Sequence, residues 1–262
     1  MITSAGNSKI KRVIQLNQKA KARRDENVFL VEGLKMFLEA PDKKIRDVYV
    51  TESFYHKNPI CQKKIMDCNF EFVSEGVFEK IADTKTPQGI LCIVEQFEYQ
   101  LNQMIANRNP FLVVIEDLQD PGNLGTIVRT GEGAGIDGII MSRNTVDIYN
   151  PKTIRATMGS IYRVPFLYVD RLEDVLLKMH ARGIQTYAAH LKGNQYYNSY
   201  SFVEGTAFLI GNEGNGLRDE TADQATSYIK IPMSGQVESL NAAIATSLLM
   251  YEARRQRSHL EN

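Results

Sequence analysis

The sequence predicts an α/β protein, with strands in parallel sheets covered on both faces by helices, divided into two domains. Three observations predict it. Short apolar runs of strand length alternate with helix-length segments along the whole chain, the pattern of strands buried on both faces. One polar stretch, 96–109, interrupts the apolar patterning and ends at Pro110, so a linker over 98–109 separates domains at 1–97 and 110–262. The length, 262 residues, suits two modest domains.

Each element follows from local pattern. Ile10, Val13, Ile14 and Asn17 share one face of a helix that Ser8 begins. Residues 28–31 read as a strand, followed by a helix carrying Leu34, Phe37 and Leu38. Further strands fall at 48–50 and 70–73, and Ser74 caps a short helix with Val77, Phe78 and Ile81. A turn-rich loop, 84–89, precedes a buried strand at 90–94. The second domain has strands at 111–115, 138–141, 164–169, 186–189, 207–210 and 228–231, with helices between them and a last helix over 239–257. No internal repeat is present.

Composition excludes several classes. Lys and Arg number 31 and Asp and Glu number 31, so there is no uniformly basic coat, and 43% hydrophobic residues suffice for a core. The stretch from Lys9 to Arg24 carries Lys9, Lys11, Arg12, Lys19, Lys21, Arg23 and Arg24 without one acid, suited either to phosphates or to a solvated helix face. Cys61, Cys68 and Cys92 form no CxxC pair, and His56, His180, His190 and His259 are scattered, so no metal site is expected. Free thiols fit a reducing cytoplasm, and neither a membrane span nor a signal segment is read from the chain.

Three loops that follow buried strands carry the chemistry. The first, after strand 111–115, runs through Pro121-Gly122-Asn123 into a helix bearing Arg129. Ligands of open α/β sheets bind beyond the carboxyl ends of strands, where Asn123 and Arg129 can reach them. Taken alone, Asn123 reads equally as the cap of that helix and Arg129 as half of a surface ion pair. The nearby Gly131-Glu132-Gly133-Ala134-Gly135 falls at the wrong place for a dinucleotide fingerprint and reads as a small-residue helix terminus. The second loop, 209–217, holds Gly211, Gly214 and Gly216 around Glu213, a carboxylate ill suited to a phosphate cradle. The third, 229–241, leads into a helix rich in small residues, with Ser239 as its candidate cap and Asn241 directed to the same crevice.

Together these loops resemble the three motifs of the SpoU (TrmH-like) branch of the SPOUT methyltransferases. The residues are Asn123, Gly125 and Arg129; Ile-Gly-x-Glu-Gly-x-Gly over 210–216; and Ile-Pro-Met-x-Gly-x-x-Glu-Ser-Leu-Asn over 231–241, which includes Glu238. The N-terminal half, through Val31-Glu32-Gly33 and 83–89, is similar to the family's small RNA-binding domain, related in fold to a class of ribosomal proteins.

The resemblance implies a C-terminal SPOUT domain with a parallel sheet and a trefoil knot, one of the exceptions to the rule against knots. It implies a homodimer whose active site draws on both chains. It also implies transfer of a methyl group from S-adenosylmethionine to a ribose 2′-hydroxyl of RNA, ribosomal RNA before transfer RNA. Implied catalytic residues are Asn123, Arg129, Glu213, Ser239 and Asn241; implied cofactor contacts are His190, Leu191, Gly211, Ile231, Met233 and Leu240. Arg129 suits phosphate binding and stabilisation of an alkoxide better than proton removal, because a guanidinium stays protonated. Lys9, Lys11, Arg12, Arg23 and Arg24 become candidate RNA contacts. The alternatives are a base methyltransferase, a non-catalytic RNA-binding or ribosome-assembly factor and, more distantly, a nicotinamide-dependent oxidoreductase.

Overall fold

The computed structural model describes residues 1–193, 195–237 and 239–258; Glu238 of the third motif and His259 lie outside the described residues. The chain forms two compact units, Met1–Phe97 with Asp147–Tyr162, and Glu98–Val146 with Arg163–Asn262. A division by sequence alone assigns 110–262 to the second domain, whereas Asp147–Tyr162 packs with the first unit.

The first unit is built on strands β1 (Val28–Glu32), β2 (Ile45–Val50), β3 (Phe70–Phe72) and β4 (Ile90–Glu95), in the order β1-β4-β2-β3. β4 runs antiparallel to both β1 and β2, and β2 is parallel to β3, so this sheet is mixed rather than parallel. Apolar runs report burial and not strand direction, which is why the sequence pattern misses this. Helix α1 (Ser8–Gln18) buries Ile10, Val13 and Leu16 in one cluster with Leu30, Tyr49, Phe78 and Leu91. It begins at Ser8, and Asn7 caps it, accepting a hydrogen bond from Lys9 N at 2.9 Å.

Helix α2 (Ala20–Glu26) carries Arg23, which is 2% exposed. Its guanidinium donates to Leu16 O (2.6 Å), to Asn17 O (3.2 Å) and twice to Asp147 Oδ2 (2.6 and 3.1 Å). One side chain thus closes the end of α1 and holds the start of the Asp147–Tyr162 segment. Tyr149 reinforces the attachment: its ring lies 4.7 Å from Phe29, and its hydroxyl accepts from Phe97 N at 2.7 Å.

Among its described residues the second unit contains seven strands, β5 (Phe111–Ile115), β6 (Gly138–Ser142), β7 (Phe166–Val169), β8 (Gln185–Ala189), β9 (Gln195–Tyr196), β10 (Thr206–Ile210) and β11 (Ser227–Lys230). Their order is β7-β6-β5-β10-β8-β11-β9, and every neighbouring pair is parallel. β9, two residues long, is too short for any periodicity to reveal. From β5 the chain builds outward through β6 and β7, and the later strands fill the other side, with β10 against β5. That reversal leaves a crevice at the carboxyl ends of β5 and β10, the usual ligand address of such sheets.

Helices α3 (Pro121–Ala134) and α4 (Ala242–Ser258) pack together on this sheet. A Cβ on Gly131 would lie 2.4 Å from Ile136 Cδ1, and one on Gly133 would lie 3.0 Å from the Tyr251 hydroxyl. Gly135, at φ +77°, ends α3 in the left-handed region. The glycine run therefore serves helix packing and termination. At the far end of α4, Arg257 donates to the carbonyls of Phe202 (2.8 Å), Asn109 (2.9 Å) and Glu204 (2.6 Å), stacked 4.7 Å above the Phe111 ring. Burial lowers the pKa of this guanidinium.

Replacing Arg23 strands Asp147 and two helix-terminal carbonyls. Arg23→Ala is expected to cost about 3 kcal/mol in urea unfolding, as breaking a buried ion pair does. The folded variant should keep its affinity for RNA.

Candidate active site

Three loops converge at the carboxyl ends of β5, β10 and β11, joined by a hydrogen-bonded relay. Asp120 caps α3 by accepting from Asn123 N at 2.8 Å, so α3 begins at Pro121 and Asn123 is not its cap. Freed from capping, Asn123 donates from Nδ2 to Glu213 Oε1 (3.1 Å) and accepts at Oδ1 from Asn241 Nδ2 (3.0 Å). Asn241 Oδ1 in turn accepts from Ala243 N (2.9 Å) and Ile244 N (3.3 Å), which makes Asn241, rather than Ser239, the cap of α4. One residue from each motif is thus held in a single chain of bonds.

Glu213 also accepts from Gln119 N (3.1 Å) and Asp120 N (3.0 Å). Partial burial pushes its carboxyl upward, but these bonds, with that from Asn123, outweigh it and hold the group below the ordinary carboxylate value. It therefore stays ionised at neutral pH. The second loop is braced from within: Asn212 and Gly216 exchange backbone bonds (3.0 and 2.9 Å), and Asn212 Nδ2 reaches Asp117 O at 2.8 Å. A Cβ on Gly211 would lie 2.0 Å from the Gly216 carbonyl carbon, so that glycine answers the loop's own backbone rather than a ligand's approach.

Beside the relay lies a pocket of about 290 Å³. His190, Leu191, Gly211, Ile231, Met233 and Leu240 all line it, as do Glu213 and Ser239. Residues that were not among the expected cofactor contacts complete the wall, among them Ile210 and Ile229 at strand ends and Ala242 and Ala245 of α4. The two alanines show one use of the small residues of that helix: a larger side chain there would fill the slot. The His190 loop is held by His190 Nδ1 accepting from Lys192 N (3.1 Å) and by Lys192 pairing with Asp219 (2.7 Å). The residues fit S-adenosylmethionine: a slot with apolar walls for an adenosine and a methionine chain, exposed backbone groups for an adenine edge, and an ionised carboxylate congenial to a sulfonium.

Asn123, Glu213, Ser239 and Asn241 are thus brought to the pocket or to the relay beside it. Arg129 is not among the lining residues. It stands on the third turn of α3, exposed, with no hydrogen bond or ion pair among the described residues. It lies about 9 Å along the helix from Asn123 and a third of a turn around it. It is one turn from Gly133, the glycine that meets Tyr251. Among the described residues no group of three His, Cys, Asp or Glu side chains is arranged to hold a metal ion, and no helix is long and apolar enough to cross a membrane.

The candidate RNA contacts divide. Lys9 pairs with Glu71, and Arg12 bridges Glu26 (2.7 Å) and Asp47 (2.9 Å). Arg23 is a correction to the expectation from charge: it is buried and spent on carbonyls and Asp147. Lys11 and Arg24 are exposed and unpaired among the described residues. Helical spacing alone gave no sign of Asp47, Glu71 or Asp147, which come from distant parts of the chain.

Comparison with known proteins decides the family. The model of the SpoU rRNA methylase family matches residues 110–251, more than half of the chain. The chain belongs to the SpoU rRNA methylase family. It is an RNA methyltransferase that uses S-adenosylmethionine, of α/β SPOUT fold with an N-terminal substrate-binding domain. That domain is matched over residues 7–92 by the MRM3-like substrate binding domain. The methylase is 31% identical over 261 residues to the 23S rRNA (guanosine(2553)-2′-O)-methyltransferase RlmP of Bacillus subtilis, covering 97% of this chain and 98% of that one. It is 34% identical over 260 residues to an uncharacterized tRNA/rRNA methyltransferase, slr1673, of Synechocystis sp., covering 97% and 93%. Among solved structures, the AdoMet-bound rRNA methyltransferase from Sinorhizobium meliloti aligns with TM-score 0.86 at 33% identity, covering 97% of each chain.

Gly211→Ala sets a Cβ against backbone that cannot retreat without breaking the Asn212–Gly216 bridge. Strain of this kind costs about 1–3 kcal/mol, so cofactor binding measured by calorimetry should weaken roughly tenfold or more.

Proposed function

We propose that this SpoU methylase methylates a ribose 2′-hydroxyl of ribosomal RNA, with a catalytic centre built from Asn123, Arg129, Glu213, Ser239 and Asn241. The observation that carries the reading is the Glu213–Asn123–Asn241 relay, which ties the wall of the pocket to the first turn of the helix bearing Arg129. His190, Leu191, Gly211, Ile231, Met233 and Leu240 hold the cofactor, and bound S-adenosylmethionine supplies a methyl carbon on a positively charged sulfur. The chain's part is to place the ribose oxygen in line behind that carbon, the step in which positioning contributes most. Arg129 binds the phosphate next to the reacting ribose and stabilises charge developing on the oxygen. The proton passes to phosphate or water, since a guanidinium is no base. Ser239, exposed at the pocket mouth, orients the nucleotide.

The methylase acts as a homodimer whose sites combine both chains, with the C-terminal chain knotted as in its family. α4 supports this reading: Ile244 (52% exposed), Leu248 (40%) and Tyr251 (52%) form an apolar stripe at helical spacing. Arg129 is one turn from Gly133, which meets Tyr251, so it flanks the stripe and would face a second copy rather than its own pocket. The substrate domain meets RNA through Lys11 and Arg24. Ribosomal RNA as substrate, together with free thiols, supports a cytoplasmic location.

Mass analysis of ribosomal RNA nucleosides from cells with and without the protein should reveal one lost ribose methylation. Purified Arg129→Ala should bind cofactor and transfer no methyl group; full activity would refute its role. Mixing Arg129→Ala with Glu213→Gln, each inactive alone, should restore part of the activity if sites are shared between chains. Replacing Lys11 and Arg24 by Ala should lower the salt slope of RNA binding by about one for each phosphate that is no longer neutralised. An unchanged slope would remove them from the interface.

A further inference from the structure

Glu116, the residue that follows β5, lies outside every motif, yet it is 1% exposed and its side chain accepts four hydrogen bonds. Oε2 accepts from Arg218 N (2.7 Å); Oε1 accepts from Arg218 Nε (2.9 Å), Arg218 Nη2 (2.7 Å) and Thr221 Oγ1 (2.5 Å). Burying a carboxylate costs several kcal/mol even after relaxation, so an apolar residue like its neighbour Ile115 would suit a mere strand end.

Its connections indicate another use. The Glu116 backbone N–H donates to Ile210 O at 2.8 Å, where the second loop begins, while its side chain holds Arg218, where that loop ends. The same residue is the root of the first loop. From the tip of the second loop, Glu213 reaches back to Gln119 N and Asp120 N, three and four residues beyond Glu116. The contacts close a ring: Glu116 to Gln119 and Asp120 along the chain, across to Glu213, along the chain to Arg218, and back to Glu116. Asp117, at φ +54°, makes the bend inside the ring, pinned by Ser142 Oγ through bonds of 2.8 and 2.6 Å.

We propose that Glu116, clamped by Arg218 and Thr221, is the positioning residue that sets the gap between the first and second loops and thereby holds Glu213 against the start of α3. The proposal rests on the role given to Glu213 above. Glu116 touches neither the pocket nor the reacting atoms and acts through Glu213 and Asn123. In Glu116→Gln the amide presents a donor among four donors, so the ring opens at its root while the sheet bond of the backbone survives.

The donors to Glu213 are uncharged, and the charged side chains of the two loops are Asp117, Asp120 and the Glu116–Arg218 pair. With the ring open, Glu213 loses backbone donors, and its carboxyl should titrate closer to the ordinary value. The test uses the full chain, with methyl transfer counted per cofactor-binding site and the Glu213 carboxyl followed by carbon-13 NMR, assigned through its loss in Glu213→Gln. Glu116→Gln is expected to lower kcat at least tenfold and raise the Glu213 titration midpoint. Glu116→Gln with Arg218→Ala should be no slower than Glu116→Gln alone. A fall in Tm with kcat per site and the midpoint both unchanged would make Glu116 a structural anchor and overturn the proposal. Full activity in Glu213→Gln would instead refute the functional reading, and the NMR arm would still report whether the ring exists.

Discussion

Asn123 is the residue on which the rest of the site depends, because its one amide is used in both directions. It donates to Glu213 and accepts from Asn241, whose amide nitrogen is turned toward it because the amide oxygen is committed to the first turn of α4. The polarity of the chain is therefore fixed from the C-terminal helix through Asn123 to the carboxylate. Each bond is worth about 1 kcal/mol net, but bonds in series polarise one another and orient a whole surface. The arrangement also requires that Asn123 be free of capping duty, which Asp120 takes over.

Much of this was legible in the residues. Strands at 111–115 and 207–210 and the loops after them stood out because strands buried on both faces read as unbroken apolar runs. The six expected cofactor contacts all line one pocket, since backbone loops at strand ends have little choice of direction. What escaped notice was pairing at a distance. Glu116 and Arg218 lie 102 residues apart and bear no local mark, and the acids that occupy Lys9, Arg12 and Arg23 come from other elements. One helix cap fell elsewhere for a related reason: Ser239 is a good capping residue, but Asn241 holds the position where the backbone turns into α4. The mixed sheet of the first unit was hidden because apolar runs report burial and not strand direction.

The charge balance of the N-terminal unit changes how its basic stretch is understood. Counting cations gave a positive strip, but paired cations present little net field beyond a Debye length. What remains among the described residues is Lys11 on α1, Lys19 between the helices, and Lys21 and Arg24 on α2, all exposed and unpaired.

The excursion of Asp147–Tyr162 makes the two units inseparable by a single cut. The chain passes from one to the other at three places, after Phe97, after Val146 and after Tyr162. A fragment beginning at residue 110 would carry Tyr149 without Phe29, and Asp147 without Arg23. Recombination that exchanges the RNA-binding half of such a gene must therefore replace two stretches together, or leave the catalytic half with an uncovered apolar tongue.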